Sequence, residues 1–233
     1  MSLDEVDRVW LFLHSGSRGI GNKIAQHHIR VARRSCHERS VELPHPDLAH
    51  LEEGTDQFAA YVAQLRWAQH FALLNREEMM DRVQSCFAAW VEGPVEVTES
   101  VNCHHNYTEQ ETVFGQEVWL SRKGAIAAGA GVPGLIPGSM GTRSYVVAGK
   151  GEPMSLSSAP HGAGRAYSRN QARKRFSQDD LRAAMGDIEY RDTSAFVDEI
   201  PQAYKDIGVV MADAADLVEV VHTLRQIVNV KGD

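Results

Sequence analysis

The chain has 233 residues, 43% of them hydrophobic and 24% charged, with a formal net charge of -7. That length suits one large domain or two small ones, and the apolar fraction is enough for a buried core, which excludes a wholly disordered chain. The negative balance excludes a generally basic nucleic-acid-coating protein, so any polyanion site has to be a local basic patch.

The first ten residues, MSLDEVDRVW, hold no basic region followed by an apolar run, so no secretory signal is expected. RVWLFLH (8–14) is apolar, aromatic and β-prone and predicts a buried strand ending at His14. SGSRGIGN follows as a glycine-rich turn or an anion-binding loop. NKIAQHHIRVARRSCHE then reads as a helix with Asn22 as its N-cap. After the linker SVELPHPDLAHLEEG, apolar residues recur at helical spacing from Thr55 to about Trp90. This predicts one long helix, or two divided near LLNREEMMD. From Gly93 onward the pattern becomes short strands broken by glycine turns: PVEVTESVNCHHNY, ETVFGQEVWLSRKG, RSYVVAGKG and EPMSLSSAPHG. AIAAGAGVPGLIPGSMGT holds too much glycine and proline for a helix interior. Short helices are expected at RNQARKRFS and SQDDLRAAM, and the β-branched end ADLVEVVHTLRQIVNVKGD favours extended strand. The expected class is α+β, mainly helical over about 22–92 and mainly β with glycine-rich loops over about 93–233. No stretch approaches the roughly 18 apolar residues of a membrane span, so a soluble cytoplasmic protein is expected.

The chemistry-bearing residues gather in loops. Cys36, Cys86 and Cys103 form no paired framework and suit a reducing compartment or a metal role. Of eleven histidines, His27, His28 and His37 fit a basic helix face or its end, His45 and His50 a proline-containing loop, and His70 and His222 regular elements. His14, His104, His105 and His161 have less ordinary neighbours. His14 closes a predicted strand beside a loop, Ser15 to Gly21, whose backbone N–H groups suit a phosphate or simply turn the chain. CHHN (103–106) is a metal signal or a structural pair; on a strand, Cys103 and His105 would share one face and His104 the other. IPGSMGTRSY (136–145) either wraps a phosphate or sugar or turns the chain. HGAGR (161–165) places a histidine among small residues with Arg165 behind it. Together these point to metal-assisted chemistry at phosphorus with His161 as candidate nucleophile.

HSGSRGIGN, CHHNY, RKGAI, IPGSMGTRSY, HGAGRAYSR, EIPQAYKDI and TLRQIVNVKG occur in this order, and together they resemble the RtcB family of RNA ligases from about residue 3 to the C-terminus. That family joins an RNA 3′-phosphate or 2′,3′-cyclic phosphate to a 5′-hydroxyl, using GTP and manganese. The resemblance implies an α+β fold with a β-rich core and flanking helices. It implies that His161 attacks the α-phosphorus of GTP to form a histidine–GMP intermediate. His14 and His105 match manganese-binding histidines. Asn106, Pro137, Gly138, Ser139, Met140, Ser144, Gly162, Ala163, Gly164 and Lys231 match GTP-contacting positions, with Tyr204 expected near the guanine. Arg18 and Arg165 fall where the family binds phosphates, those of RNA being expected.

The family's longer N-terminal part carries a D-x-x-C metal motif and a G-N-H-F segment, and this chain starts after the place where they would stand. The expectation is therefore the C-terminal part of the fold: a truncated piece, a gene fragment or one half of a split protein with a separate N-terminal chain as partner. The expected partners are RNA with 3′-phosphate and 5′-hydroxyl ends, and GTP. A metal-dependent phosphoesterase working through a phosphohistidine, and a catalytically incomplete fragment that binds nucleotide or a partner, are the alternative readings.

Overall fold

The computed structural model describes residues 1–232. It forms two compact units: a helical unit, Leu13–Val95, and a mainly β unit made of Met1–Phe12 together with the chain from Glu96 onward.

The β unit opens with two short strands, β1 (Ser2–Leu3) and β2 (Val9–Trp10). The strand expected over 8–14 is thus only two residues long, because its partner is equally short: Ser2 pairs with Trp10 and Leu3 with Val9. Asp4 ends β1 by turning the chain. Its carboxylate accepts the amide N–H groups of Val6 at 3.0 Å and Arg8 at 2.9 Å, and the Trp10 indole N–H at 3.0 Å.

In the helical unit, α1 (Ile20–Glu38) begins two residues before the expected Asn22 cap. Gly19 takes the cap position with φ 119°, a left-handed conformation open to glycine, and its carbonyl accepts the Lys23 N–H at 3.1 Å. The long helix α2 (Asp56–Val91) starts where Thr55 caps it, the hydroxyl accepting the Phe58 N–H at 3.2 Å. It runs unbroken through LLNREEMMD. Asn75, within that stretch, donates to Ser15 Oγ at 3.2 Å and to the Gly16 carbonyl at 3.3 Å. The two helices pack through Ala32, Ala68 and Ala72, and buried His28 reaches Gln64 at 3.1 Å.

From Glu96 the expected strand through CHHN is absent until Asn106, where pairing begins. A long hairpin, β3 (Asn106–Val113) with β4 (Gln116–Lys123), is followed by β5 (Ala125–Ala127), β6 (Pro133–Ile136), β7 (Ser144–Gly149) and β8 (Ser158–Pro160). Two short helices, α3 (Arg169–Arg175) and α4 (Gln178–Met185), each start at a serine capping box. Then come β9 (Glu189–Tyr190), α5 (Ile207–Asp213), β10 (Val218–Gln226) and β11 (Val228–Asn229). The main sheet runs β2-β1-β10-β7-β6, antiparallel throughout; β5 pairs with β8. One apolar cluster sits on Ile126, Ile136, Val147 and Ala159, and a second on Leu181, Met185, Phe196 and Ile200. The class is α+β with an antiparallel core.

His222 of β10 ties the N-terminal strands to this sheet. Its Nδ1 lies 2.9 Å from Glu5 and its Nε2 3.3 Å from Glu99, with Arg8 Nη2 at 3.5 Å and the Trp10 ring beside it. The hydrogen bond to Glu5 raises its pKa above the ordinary value of 6.5. A raised folded pKa gives stability that is full below the unfolded value and lost as pH rises through the folded one. Melting temperature should therefore fall between about pH 6 and pH 8, the range just around and above an ordinary histidine pKa. His222→Ala should flatten that slope; an unchanged slope would show that the pairing is not linked to folding.

Candidate functional site

His161 follows β8 immediately and is held by a single glycine. Gly124, between β4 and β5, offers its carbonyl oxygen to His161 Nδ1 at 2.6 Å and to the His161 main-chain N–H at 3.4 Å. A carbonyl only accepts, so Nδ1 carries the proton, and in the neutral ring Nε2 then carries the lone pair. The Gly124 N–H is shared between the His105 carbonyl at 2.9 Å and the Asn106 side-chain oxygen at 3.1 Å. The His105 ring stacks on His161 with centroids 5.2 Å apart and planes 10° from parallel. One residue, Gly124, therefore fixes both the tautomer of His161 through its carbonyl and the segment that carries His105 through its N–H. Because Cys103, His104 and His105 precede β3, strand alternation does not decide which way they point. Cys103 packs against the first apolar cluster.

Gly124 has φ +70°, and a Cβ there would come within 3.3 Å of His161 Cε1. Gly124→Ala should lower stability by roughly 1–2 kcal/mol from the left-handed backbone alone. It should also shift the His161 ring proton resonances. Wild-type urea unfolding and unshifted His161 signals would show that the glycine is replaceable.

The loop between β6 and β7 packs beside the histidine. The Pro137 carbonyl accepts the Ala163 N–H at 3.1 Å, and a Cβ on Gly162 would approach that same oxygen to 2.9 Å. Glycine at 162 is therefore a packing requirement. Gly164 meets nothing within 4 Å on its Cβ side and adopts φ +68°. The loop keeps its shape through Thr142, whose Oγ1 accepts the Ser139 N–H at 2.6 Å, and through Gln226, whose amide donates to the carbonyls of Ser139 at 2.6 Å and Thr142 at 2.7 Å. Asn229 adds a bond to the Met140 carbonyl at 3.3 Å. Ser139, Met140 and Ser144 are buried.

Behind this loop lies a buried acidic pair that sequence reading passed over. Asp198 and Glu199 have side chains only 1% and 8% exposed. Asp198 accepts from Arg169 at 2.9 Å and Arg173 at 3.2 Å; Glu199 accepts from Lys231 at 2.9 Å and pairs with Arg169 at 2.7 Å. The Tyr204 hydroxyl also donates to Glu199. Burial would raise the Glu199 pKa, but the Tyr204 and Lys231 bonds hold it below the usual carboxylate range. Burial and the Glu199 bond push Tyr204 up to about 12. Arg165, expected at a phosphate, donates here to the Tyr167 carbonyl at 3.0 Å, the Tyr204 hydroxyl at 3.0 Å and the Asp198 carbonyl, with its guanidinium 4.9 Å over the Tyr204 ring. The signal for the acidic pair was present in AFVDEIP, two adjacent carboxylates inside an apolar run.

The β unit thus places His105, Asn106, Gly162, Ala163 and the turn at Pro137 and Gly138 beside His161 and Gly124, with Ser139, Met140 and Ser144 buried in or just after that loop, and gathers Arg165, Tyr204 and Lys231 at the acidic pair. His14 and Arg18 belong to the helical unit, where both are exposed and Arg18 has φ 59°. Among the described residues, no three histidines, cysteines or carboxylates group as metal donors. That is fewer than the three protein ligands a catalytic site usually needs.

A family model described as tRNA-splicing ligase RtcB matches residues 1–232. The RNA-splicing ligase RtcB of Escherichia coli K12 is 49% identical over 235 residues, covering 99% of this chain and 58% of that protein. The RNA-splicing ligase RtcB of Mycobacterium bovis is 34% identical, over 87% of this chain and 51% of its own. The tRNA-splicing ligase RtcB of Methanopyrus kandleri is 30% identical over all of this chain and 27% of its own. The chain therefore spans little more than half the length of the Escherichia coli relative.

Proposed function

The chain belongs to the RtcB family, and on that premise we propose that it carries the nucleotide-accepting site of an RNA ligase. The ligase would join RNA 3′-phosphate or 2′,3′-cyclic phosphate ends to 5′-hydroxyl ends, using GTP and manganese. The observation that supports this most is the 2.6 Å bond between His161 Nδ1 and the Gly124 carbonyl. It presents Nε2 as the nucleophilic nitrogen.

In the proposed first step, the Nε2 lone pair forms a bond to the α-phosphorus of GTP. The bond from that phosphorus to the bridging oxygen breaks, and pyrophosphate leaves. The ring gains positive charge as the N–P bond forms, and the Nδ1–H bond to Gly124 becomes charge-assisted, which stabilises the adduct. An oxygen of the RNA 3′-phosphate then bonds to the GMP phosphorus as the Nε2–P bond breaks, and the 5′-hydroxyl oxygen attacks the activated 3′-phosphate, its proton passing to solvent and GMP leaving. Pro137, Gly138, Gly162, Ala163 and Gly164 leave the approach to Nε2 lined by small groups. Lys231 and Tyr204, oriented by Glu199, supply donors for the base, Asn106 holds the Gly124 residue that fixes the histidine, and Ser139 acts through the loop it is buried in. Met140 and Ser144 act through the shape of the loop they are buried in.

Manganese would stabilise phosphate charge when bound. His105 in the β unit and His14 in the helical unit are each proposed as a metal ligand, and neither unit by itself holds a complete donor set among the described residues. Incubation with GTP labelled at the α-phosphate is the test. Label retained on denatured protein supports the ligase reading. Phosphate release without a nucleotide adduct would favour a phosphoesterase working through phosphohistidine.

A further inference from the structure

We propose that α3 and the aromatic residues flanking it form a track for single-stranded RNA leading to His161. This rests on the ligase reading and extends it from Arg165, where the resemblance already implies a phosphate, to α3 and its flanks. From Arg165 to Gln178 the chain carries five cations, Arg165, Arg169, Arg173, Lys174 and Arg175, and no carboxylate. In a protein of net charge -7 this is a local reversal of sign. Such a patch is what phosphate backbones select, since each neutralised phosphate releases condensed counterions.

The patch is ordered in a way a solvated charge run would not be. Asp198, 1% exposed, anchors Arg169 and Arg173, whose side chains remain 63% and 58% exposed. Their inner N–H groups are held while the outer edges face solvent. The carboxylates on the next helix are already engaged: Asp179 pairs with Arg182 at 2.8 Å, and Asp180 closes the α4 capping box.

The second element of the track is aromatic. Tyr167 and Phe176 bracket α3, both partly buried against the second apolar cluster, and meet edge to face, centroids 5.9 Å apart. The Arg175 guanidinium lies 4.9 Å over Tyr167 and 5.9 Å over Phe176. The two rings thus hold the guanidinium of exposed Arg175 as a plane facing solvent, and an arginine plane is a surface on which an unpaired base stacks beside a basic groove that tracks the strand. A duplex keeps its bases stacked and could use only the charges. The track therefore favours a single strand, and α3 starts eight residues after His161.

The test is fluorescence anisotropy of the full chain with a labelled 12-nucleotide single-stranded RNA bearing a 3′-phosphate, at several salt concentrations. Lys174→Ala with Arg175→Ala should weaken binding and reduce the slope of log affinity against log salt by about 1.4, two phosphate contacts at roughly 0.7 each. Arg175→Lys, which keeps the charge and loses the plane, should weaken binding with the slope unchanged. It also covers the case in which the double variant fails to fold. Arg182→Ala on α4 should leave both quantities as in wild type. Unchanged affinity in the α3 variants, an equal loss with Arg182→Ala, competition by duplex RNA as strong as by single strands, or no binding by wild type would each overturn the track. GTP labelling of the same preparations separates the two readings: label retained while the track fails leaves the ligase site standing, and absent label removes it.

Discussion

His161→Ala in the complete ligase should eliminate covalent GMP labelling, while His222→Ala, on the central strand β10 of the main sheet, should leave it intact. The expected loss is at least about a thousandfold, on the scale of removing a covalent nucleophile. The geometry explains why no neighbour substitutes. His105 stacks face to face on His161, so its ring atoms lie beside His161 rather than along the line on which Nε2 meets phosphorus. The Gly124 carbonyl is engaged with His161 Nδ1 at 2.6 Å. The measurement is gel-resolved label after incubation with α-labelled GTP and manganese, with chemical lability of the adduct as a second readout. A phosphoimidazole is acid-labile and survives base. Undiminished labelling of His161→Ala would place the nucleophile elsewhere and overturn the assignment.

Glu111→Ala lowers the stability of the β unit by about 3 kcal/mol, the low end for breaking a buried ion pair because Glu111 itself is partly exposed. At roughly 2–4 °C per kcal/mol for a chain of this size, the melting temperature should fall by about 6–12 °C. Arg122 is the reason. Its side chain is 3% exposed, against 29% for Glu111. It donates to Glu111, to the Tyr107 hydroxyl at 3.0 Å, to Ser158 Oγ at 2.9 Å and to the Leu156 carbonyl at 3.1 Å. The Glu111 bond raises the Arg122 pKa further, so the cation cannot be relieved by losing its proton. Without Glu111 a full charge stays buried with neutral acceptors only. Ser158 lies in β8, three residues before His161, so labelling should weaken before global unfolding. Thermal unfolding of wild type, Glu111→Ala and Glu111→Gln decides this; identical melting temperatures would show that Arg122 finds solvent instead.

The helices and the turns were legible because local rules governed them. Thr55, Ser168 and Ser177 cap as their sequence suggests, and β-branched density from Val218 to Gln226 becomes the longest strand. RVWLFLH did not become a seven-residue strand, since strand length is set by the partner and β1 offers only two residues. LLNREEMMD did not split α2, and Asn75 within it donates to Ser15 and Gly16. The chemistry of HGAGR was visible as a histidine among small residues. That Nδ1 rather than Nε2 is committed was not, because it depends on a carbonyl 37 residues away.

By itself, then, the amino-acid order determined the α+β class, the capped starts of α2 and α4, the motif series that places the chain in its family, and His161 as the residue to test. Each of these rests on interactions within a few residues, such as caps, periodicity and spacing. The tertiary structure decided the tautomer of His161, the stacking of His105 on it, and the burial of Asp198 and Glu199 among Arg165, Arg169, Arg173, Tyr204 and Lys231. A buried carboxylate is stable only with its partners in place. Lys231 reaches Glu199 across 32 positions and Arg173 reaches Asp198 across 25, separations at which no local pattern in the sequence carries a signal.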